Sequence, residues 1–135
     1  MAEPIVFISR SRVLEGKLDG LRRFMEPGIA ALEAEKPGTL LFVQYLDPTG
    51  FELTIIHAWA DAAAMDAHME GVAERSAAAY EFIESRAFEI YGQPSDAVRQ
   101  MMEGAAARAG IELKVHPEFV GGWMRLQAGG KAPRE

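Results

Sequence analysis

Two of the chain's three histidines and one of its two tryptophans lie close together in the stretch "TIIHAWADAAAMDAHMEG". An imidazole titrates near neutral pH and can remove a proton from a phenol. An indole ring offers a flat wall on which a planar ligand can stack. His68 and His57 are therefore candidate catalytic bases, and Trp59 is a candidate substrate-binding residue. The alternative for all three is packing: satisfied core histidines, and a core tryptophan against the following helix.

Three further residues are candidates for the wall of an apolar pocket. Tyr45 offers a phenolic hydroxyl from a predicted strand, and Met65 and Met69 fall on the same helical face as His68. The chain has no cysteine, and its histidines do not show the i, i+2 or i, i+4 spacing of a metal site. No glycine-rich loop for a phosphate is present. We expect no metal and no cofactor.

The elements that must position these residues alternate between strands and helices. Residues 5–13 predict a first strand, and residues 15–38 predict a helix that Pro27 should kink or split. Residues 39–46 and 51–59 predict a hairpin, because Asp-Pro-Thr-Gly between them suits a tight turn. His57 and Trp59 then lie on one face of its second strand.

A second helix is predicted to begin at Asp61, whose carboxylate can cap it. Its apolar face continues through Ala79 to Phe82 and Ile83. Residues 86–92 predict a strand, and a third helix should start at Ser95 or Asp96 and end at Gly110. Residues 111–115 predict another strand, and residues 119–126 a last extended piece.

This β-α-β-β-α-β order predicts an α+β fold, a ferredoxin-like split βαβ sheet with its helices on one face, followed by a C-terminal α-β extension. Residues 1–126 form one predicted domain, and residues 127–135 a flexible tail. Both faces of the first three strands are apolar, whereas a sheet with one wet face should alternate. We therefore expect a homodimer through the open sheet face.

The strand end "HAWAD" and the helix start "DAAAMDAHMEG" resemble the antibiotic biosynthesis monooxygenase (ABM) family of dimeric α/β barrels. The resemblance covers about the first 90 residues, and the remaining strand and helix are similar to an extension in uncharacterised members. It implies a cofactor-independent monooxygenase acting on a small aromatic or quinol-like molecule in an apolar pocket. The alternative is a non-catalytic ligand-binding or interaction module of the same fold.

One absence bears on this choice. The chain contains no asparagine, although an asparagine amide acts beside the ligand in both the quinone-forming and the haem-degrading branches of the family. A tyrosine, Gln44 or a histidine would have to replace it. The histidine of the haem-degrading branch also has no counterpart, since that region reads "SAAAY". The resemblance thus gives no support to haem degradation.

The net charge of −6 comes from acidic and basic residues that are interspersed along the chain. Nucleic acids and anionic membranes attract a basic stripe, so we expect neither as a partner. The N-terminal apolar run is too short for a signal peptide or a membrane span. These features predict a cytoplasmic protein.

Overall fold

The computed structural model describes residues 3–125, and the predicted tail lies outside these residues. They form an α+β fold with one five-stranded mixed sheet and four helices. The elements are β1 (Ile5–Val13), α1 (Leu18–Glu35), β2 (Thr39–Leu46), β3 (Glu52–Trp59), α2 (Ala62–Met69), α3 (Val72–Ala79), β4 (Ile83–Tyr91), α4 (Asp96–Ala109) and β5 (Leu113–His116).

The strand order is β2-β3-β1-β4-β5. Strand β1 pairs antiparallel with both β3 and β4, and β2 pairs antiparallel with β3. Strand β5 runs parallel to β4, and helix α4 forms the crossover between them. The first four strands confirm the ferredoxin-like split βαβ sheet, and α4 with β5 confirms the predicted extension.

All four helices contribute to two apolar clusters on one face of the sheet. The first cluster buries residues of β1, β3 and β4 against α2 and α4, and its members include Ile5, Phe7, Trp59, Met65, Met69, Phe88, Ile90, Val98 and Met102. The second joins the other end of the sheet to α1 through Val13, Leu21, Leu53 and Ile83. The helices therefore lie on one face, as predicted.

The opposite face, called here the open face, has no helix in these clusters. Its central side chains are apolar and are only partly buried: Val6, Ile8, Leu41, Val43 and Ile56. Tyr45 lies on the same face and is 61% exposed. Toward β4 the open face becomes polar, where Arg10 pairs with Glu89 and Arg12 with Glu84. A single chain thus leaves an apolar sheet surface in water.

The predicted second helix is two helices, and extending it to Ile83 was wrong. Helix α2 ends at Met69, and Gly71 adopts a left-handed conformation (φ 79°) before α3 starts. Helix α3 ends at Ala79, and Ile83 begins β4. The apolar spacing continued across both breaks because α2, α3 and β4 all turn apolar residues toward the same core.

The structure decides three further details of the predicted secondary structure. Helix α1 runs unbroken through Pro27, so it is not split. Pro27 is exposed, and water can therefore hydrate the carbonyl that loses its partner. Residues 117–125 contain no strand or helix, so the described part of the predicted last extended piece does not join the sheet. Ser95, and not Asp96, caps α4 by accepting a hydrogen bond from the Val98 amide at 3.2 Å.

Candidate functional site

His57 lies in the middle of a stack of aromatic rings on the helix-covered face. It pairs with Phe7 of β1, and Trp59 follows two residues later on the same face. Ring centroids are 5.0 Å apart for His57 and Phe7 and 5.4 Å apart for His57 and Trp59, with nearly parallel planes. The Nδ1 atom lies 3.1 Å from the carbonyl oxygen of Phe7. Because a carbonyl only accepts, Nδ1 carries the proton and Nε2 is an acceptor.

His68 reaches the same place from helix α2, where it is buried between Met65 and Met69. Its Nδ1 lies 2.7 Å from the Thr39 hydroxyl, which also accepts a 2.9 Å hydrogen bond from the indole N–H of Trp59. The Thr39 hydroxyl also has a proton to donate, and this proton finds an acceptor if it points to Nδ1 of His68. We therefore assign the His68 proton to Nε2, the tautomer opposite to that of His57.

The two imidazoles are neighbours. Their ring centroids are 5.3 Å apart and their planes are nearly perpendicular. Phe42 of β2 lies beside both, at 5.0 Å from His57 and 5.9 Å from His68. Neither Nε2 atom has a hydrogen-bond partner among the described residues. The group His57, His68, Trp59, Thr39 and Phe42 is called here the histidine cluster.

Two cations hold the end of α2 that carries His68. Arg75 donates from its guanidinium to the carbonyl oxygens of His68 and Glu70, both at 2.7 Å. The Lys36 ammonium donates to the carbonyls of Ala67 and Glu70 at 2.9 and 3.2 Å. These bonds satisfy carbonyls that a helix end leaves free. They also place positive charge close to the His68 ring.

Both imidazoles are neutral at physiological pH. Burial lowers the pKa of His57 to about 4, against the opposing effect of its hydrogen bond to Phe7. Burial also lowers the pKa of His68 to about 3, and repulsion from His57, Arg75 and Lys36 acts in the same direction. The pair can therefore accept one hydrogen bond and donate another without carrying charge.

The structure brings five of the six predicted site residues together. Met65 and Met69 pack with Trp59 in the first apolar cluster, next to His57 and His68. Tyr45 does not join them. It pairs with Thr54, whereas Phe42 pairs with His57, so Tyr45 points to the open face.

Thr39 and Phe42 were missed by the sequence reasoning. Hairpin register carries a signal for both, since it pairs Thr39 with Trp59 and Phe42 with His57. The register could be counted back from the Asp-Pro-Thr-Gly turn. A shift in pairing between Thr39 and Leu41 makes such a count unreliable at Thr39 itself.

Two shallow depressions lie on the described surface, and neither is lined by the histidine cluster. One of about 410 Å³ lies beside Arg10, Arg12, Glu52 and Arg86, and one of about 230 Å³ lies beside Leu14 and Gly50. No group of three or more His, Asp or Glu side chains within residues 3–125 could hold a metal ion. Within the same residues, none of the helices has the length and apolarity needed to span a bilayer.

No protein-family model matches the chain, and no curated protein sequence matches it. Solved structures do. MupZ from Pseudomonas fluorescens superposes with a TM-score of 0.67 at 15% identity, over 91% of this chain and 95% of MupZ.

Two other solved structures carry informative descriptions. SnoaB, a cofactor-independent oxygenase from Streptomyces nogalater, gives a TM-score of 0.56 at 18% identity, over 70% of this chain and 96% of SnoaB. A candidate antibiotic biosynthesis monooxygenase from Bacteroides thetaiotaomicron gives 0.54 at 18% identity, over 65% of this chain and 85% of its own. At these identities the likeness concerns the fold. The chain has the fold of the antibiotic biosynthesis monooxygenase proteins, as its sequence predicted.

Proposed function

We propose that this protein belongs to the ABM family and is a cofactor-independent monooxygenase of a small aromatic or quinol-like molecule. The observation that supports this most directly is the pair of neighbouring imidazoles whose Nδ1 partners, the Phe7 carbonyl and the Thr39 hydroxyl, assign them opposite tautomers. His57 offers an acceptor at Nε2, and His68 offers a donor at Nε2. The centroids of the two rings are 5.3 Å apart. An acceptor beside a donor suits the removal of a phenolic proton next to a developing negative charge.

1,4-Dihydroxynaphthalene is a small quinol of the proposed substrate class. His57 accepts a hydroxyl proton, and the electron-rich anion reacts with dioxygen at the neighbouring ring carbon. The resulting hydroperoxide, held by the His68 N–H, loses water to give 2-hydroxy-1,4-naphthoquinone. One oxygen atom of dioxygen enters the ring and the other leaves as water, so substrate and dioxygen balance quinone and water. The substrate supplies all the electrons.

The low pKa of His57 sets a condition on this step. With a pKa of about 4, the free imidazole is a weak base toward a phenol. A phenolate beside the ring stabilises the imidazolium and raises its pKa. Proton transfer is therefore coupled to binding of the anion in the same apolar surroundings, where Trp59 and Phe42 exclude water.

A non-catalytic ligand-binding module is the second candidate function, and specific observations favour it. Both Nδ1 atoms already have partners inside the protein, and His57 and His68 are only 7% and 3% exposed. This is the arrangement of histidines that are packed in a core and held by a hydrogen bond at Nδ1. The chain also has no asparagine to hold a substrate oxygen.

The experiment that separates the two functions follows dioxygen uptake and product with 1,4-dihydroxynaphthalene. Uncatalysed oxidation gives 1,4-naphthoquinone and hydrogen peroxide. Under ¹⁸O-labelled dioxygen, 2-hydroxy-1,4-naphthoquinone that carries one labelled oxygen atom is therefore the product of the enzymatic reaction. His57→Gln should lower this rate by about 100-fold or more, and His68→Gln by about tenfold. His116→Gln, at an exposed position on β5, is the control and should leave the rate unchanged.

Each other outcome has a defined meaning. Wild-type protein that binds the probe under argon and forms no hydroxyquinone above the background is the ligand-binding module. Equal rates for wild type and His57→Gln would contradict the catalytic assignment. Circular dichroism of each variant shows whether the fold is intact.

The second part of the proposal is a homodimer that closes the barrel. Two copies packed through their open faces would bury Val6, Ile8, Val43 and Ile56 and complete the second layer that a sheet of this composition needs. The support is the partly exposed apolar surface of the open face. This assembly leaves the histidine cluster on the opposite side of each sheet, under its own helices.

A further inference from the structure

The side-chain carbonyl of Gln44 is buried without a partner. Its Oε1 atom is closed off from solvent and accepts no hydrogen bond from residues 3–125. A buried carbonyl that loses water and gains no donor destabilises the fold, and such groups are rare in native proteins. An atom of this kind, retained inside a protein, is explained when a ligand supplies the missing donor.

Gln44 lies next to the histidine cluster. The register pairs Gln44 with Ile55 and Phe42 with His57, so Gln44 and His57 point to the same face of the sheet. They are diagonal neighbours across two paired strands, which places their side chains about 7 Å apart. The Phe42 ring lies beside His57 at 5.0 Å between ring centroids, on the same strand as Gln44.

Gln44 lies on a strand whose side chains are not fully buried. Strand β2 is the edge of the sheet, and every residue of β2 except Tyr45, which is exposed, is partly buried. Phe42 faces the helices but belongs to neither apolar cluster. Phe42 and Gln44 therefore lie at the β2 edge of the helix-covered face.

We propose that Gln44 is the second polar anchor of the ligand site, and that the ligand is a fused-ring aromatic with oxygen functions at two opposite ends. One hydroxyl meets Nε2 of His57, the ring lies against Phe42, and a second hydroxyl donates to Oε1 of Gln44. This inference deepens the proposed function, because it rests on an aromatic ligand at the histidine cluster. It adds the specificity determinant for the far end of that ligand.

A matched pair of probes tests the anchor by calorimetry. 1,5-Dihydroxynaphthalene carries oxygens at both ends, and 1-naphthol carries one. Wild-type protein should bind the diol about tenfold more tightly than 1-naphthol, since one hydrogen bond to a buried acceptor differs between them. Gln44→Met, which keeps the length of the side chain, should remove this tenfold preference and leave the affinity for 1-naphthol unchanged. Gln100→Met, at an exposed position of α4, is the control.

The outcomes separate this inference from the proposed function. If Gln44→Met weakens both probes equally, or neither, Gln44 is not the second anchor although the aromatic site stands. If wild type binds neither probe, the aromatic site fails and the anchor fails with it. Thermal unfolding without probe gives an independent check. The midpoint for Gln44→Met should be unchanged or higher, and a clear drop would mean that Gln44 has a structural partner and would overturn the inference.

Discussion

The Thr39 hydroxyl joins the two parts of the histidine cluster. It accepts from Trp59 at the end of β3 and contacts Nδ1 of His68 on α2. One side chain at the first position of β2 thereby fixes the orientation of an indole and the tautomer of an imidazole. A hydrogen bond of this kind in an apolar setting is both strong and costly to break. The chemistry proposed for His68 therefore depends on a residue that touches no substrate.

Sequence reasoning could find His57, Trp59 and His68 but not their partners. Strand alternation put His57 and Trp59 on one face, and helical spacing put His68 among Met65 and Met69. Both are short-range patterns that a single element determines. The contacts of Thr39 depend on the packing of α2 across the sheet, which spacing within one element does not specify. The same holds for the low pKa values, which burial by distant residues produces.

At the scale of elements, the hairpin and the capped helix starts were predictable because local chemistry decides them. Asp61 accepts a hydrogen bond from the Ala64 amide at 2.8 Å, and Asp47 accepts from the Thr49 hydroxyl and the Glu52 amide within the turn. The break between α2 and α3 was not predicted. Its signal is Gly71, which a periodic apolar pattern on both sides concealed.

Two glycine substitutions should have opposite effects on stability. Gly71 has φ +79°, and a Cβ there would lie 3.2 Å from a guanidinium nitrogen of Arg75. Gly71→Ala should therefore lower the free energy of unfolding by about 1 kcal/mol or more. Gly28 lies at an exposed position inside α1, and a Cβ added there would have nothing within 4 Å. Because alanine favours a helix more than glycine does, Gly28→Ala should raise the free energy of unfolding by up to about 1 kcal/mol. Urea unfolding measures both. Stabilisation by Gly71→Ala would mean that α2 and α3 are not separated by a left-handed residue.

At the scale of the whole molecule, the argument for a dimer follows from what one chain leaves uncovered. The helices are all used on one face, and the apolar centre of the other face stays partly exposed. The sequence predicted this uncovered apolar face, because β1, β2 and β3 carry apolar residues on both of their faces. The fold agrees with that reasoning, and the dimer itself stays a prediction, as does the cytoplasmic location.

A charge at the centre of the open face should prevent the proposed dimer. Ile56 of β3 lies between Ile8 and Val43 of the neighbouring strands. Ile56→Lys should give a species at the chain mass of 14.8 kDa, because two buried ammonium groups without partners oppose association. Gln100→Lys adds the same charge on exposed α4 and should leave the dimer intact. Sedimentation velocity distinguishes these cases. A wild-type monomer at micromolar concentration would contradict the closed barrel.

The central claim is that two neutral imidazoles of opposite tautomer line the binding site of an aromatic ligand. A long-range ¹H–¹⁵N spectrum of the histidine rings, recorded with and without 1-naphthol, tests it most directly. At pH 7 His57 should carry its proton on Nδ1 and His68 on Nε2. Both should stay neutral at pH 5, since the pKa values of about 4 and about 3 lie below this. Adding 1-naphthol should shift the Nε2 resonance of His57, which accepts the naphthol hydroxyl. A charged ring at pH 7, or 1-naphthol that leaves both Nε2 resonances in place, would contradict the account.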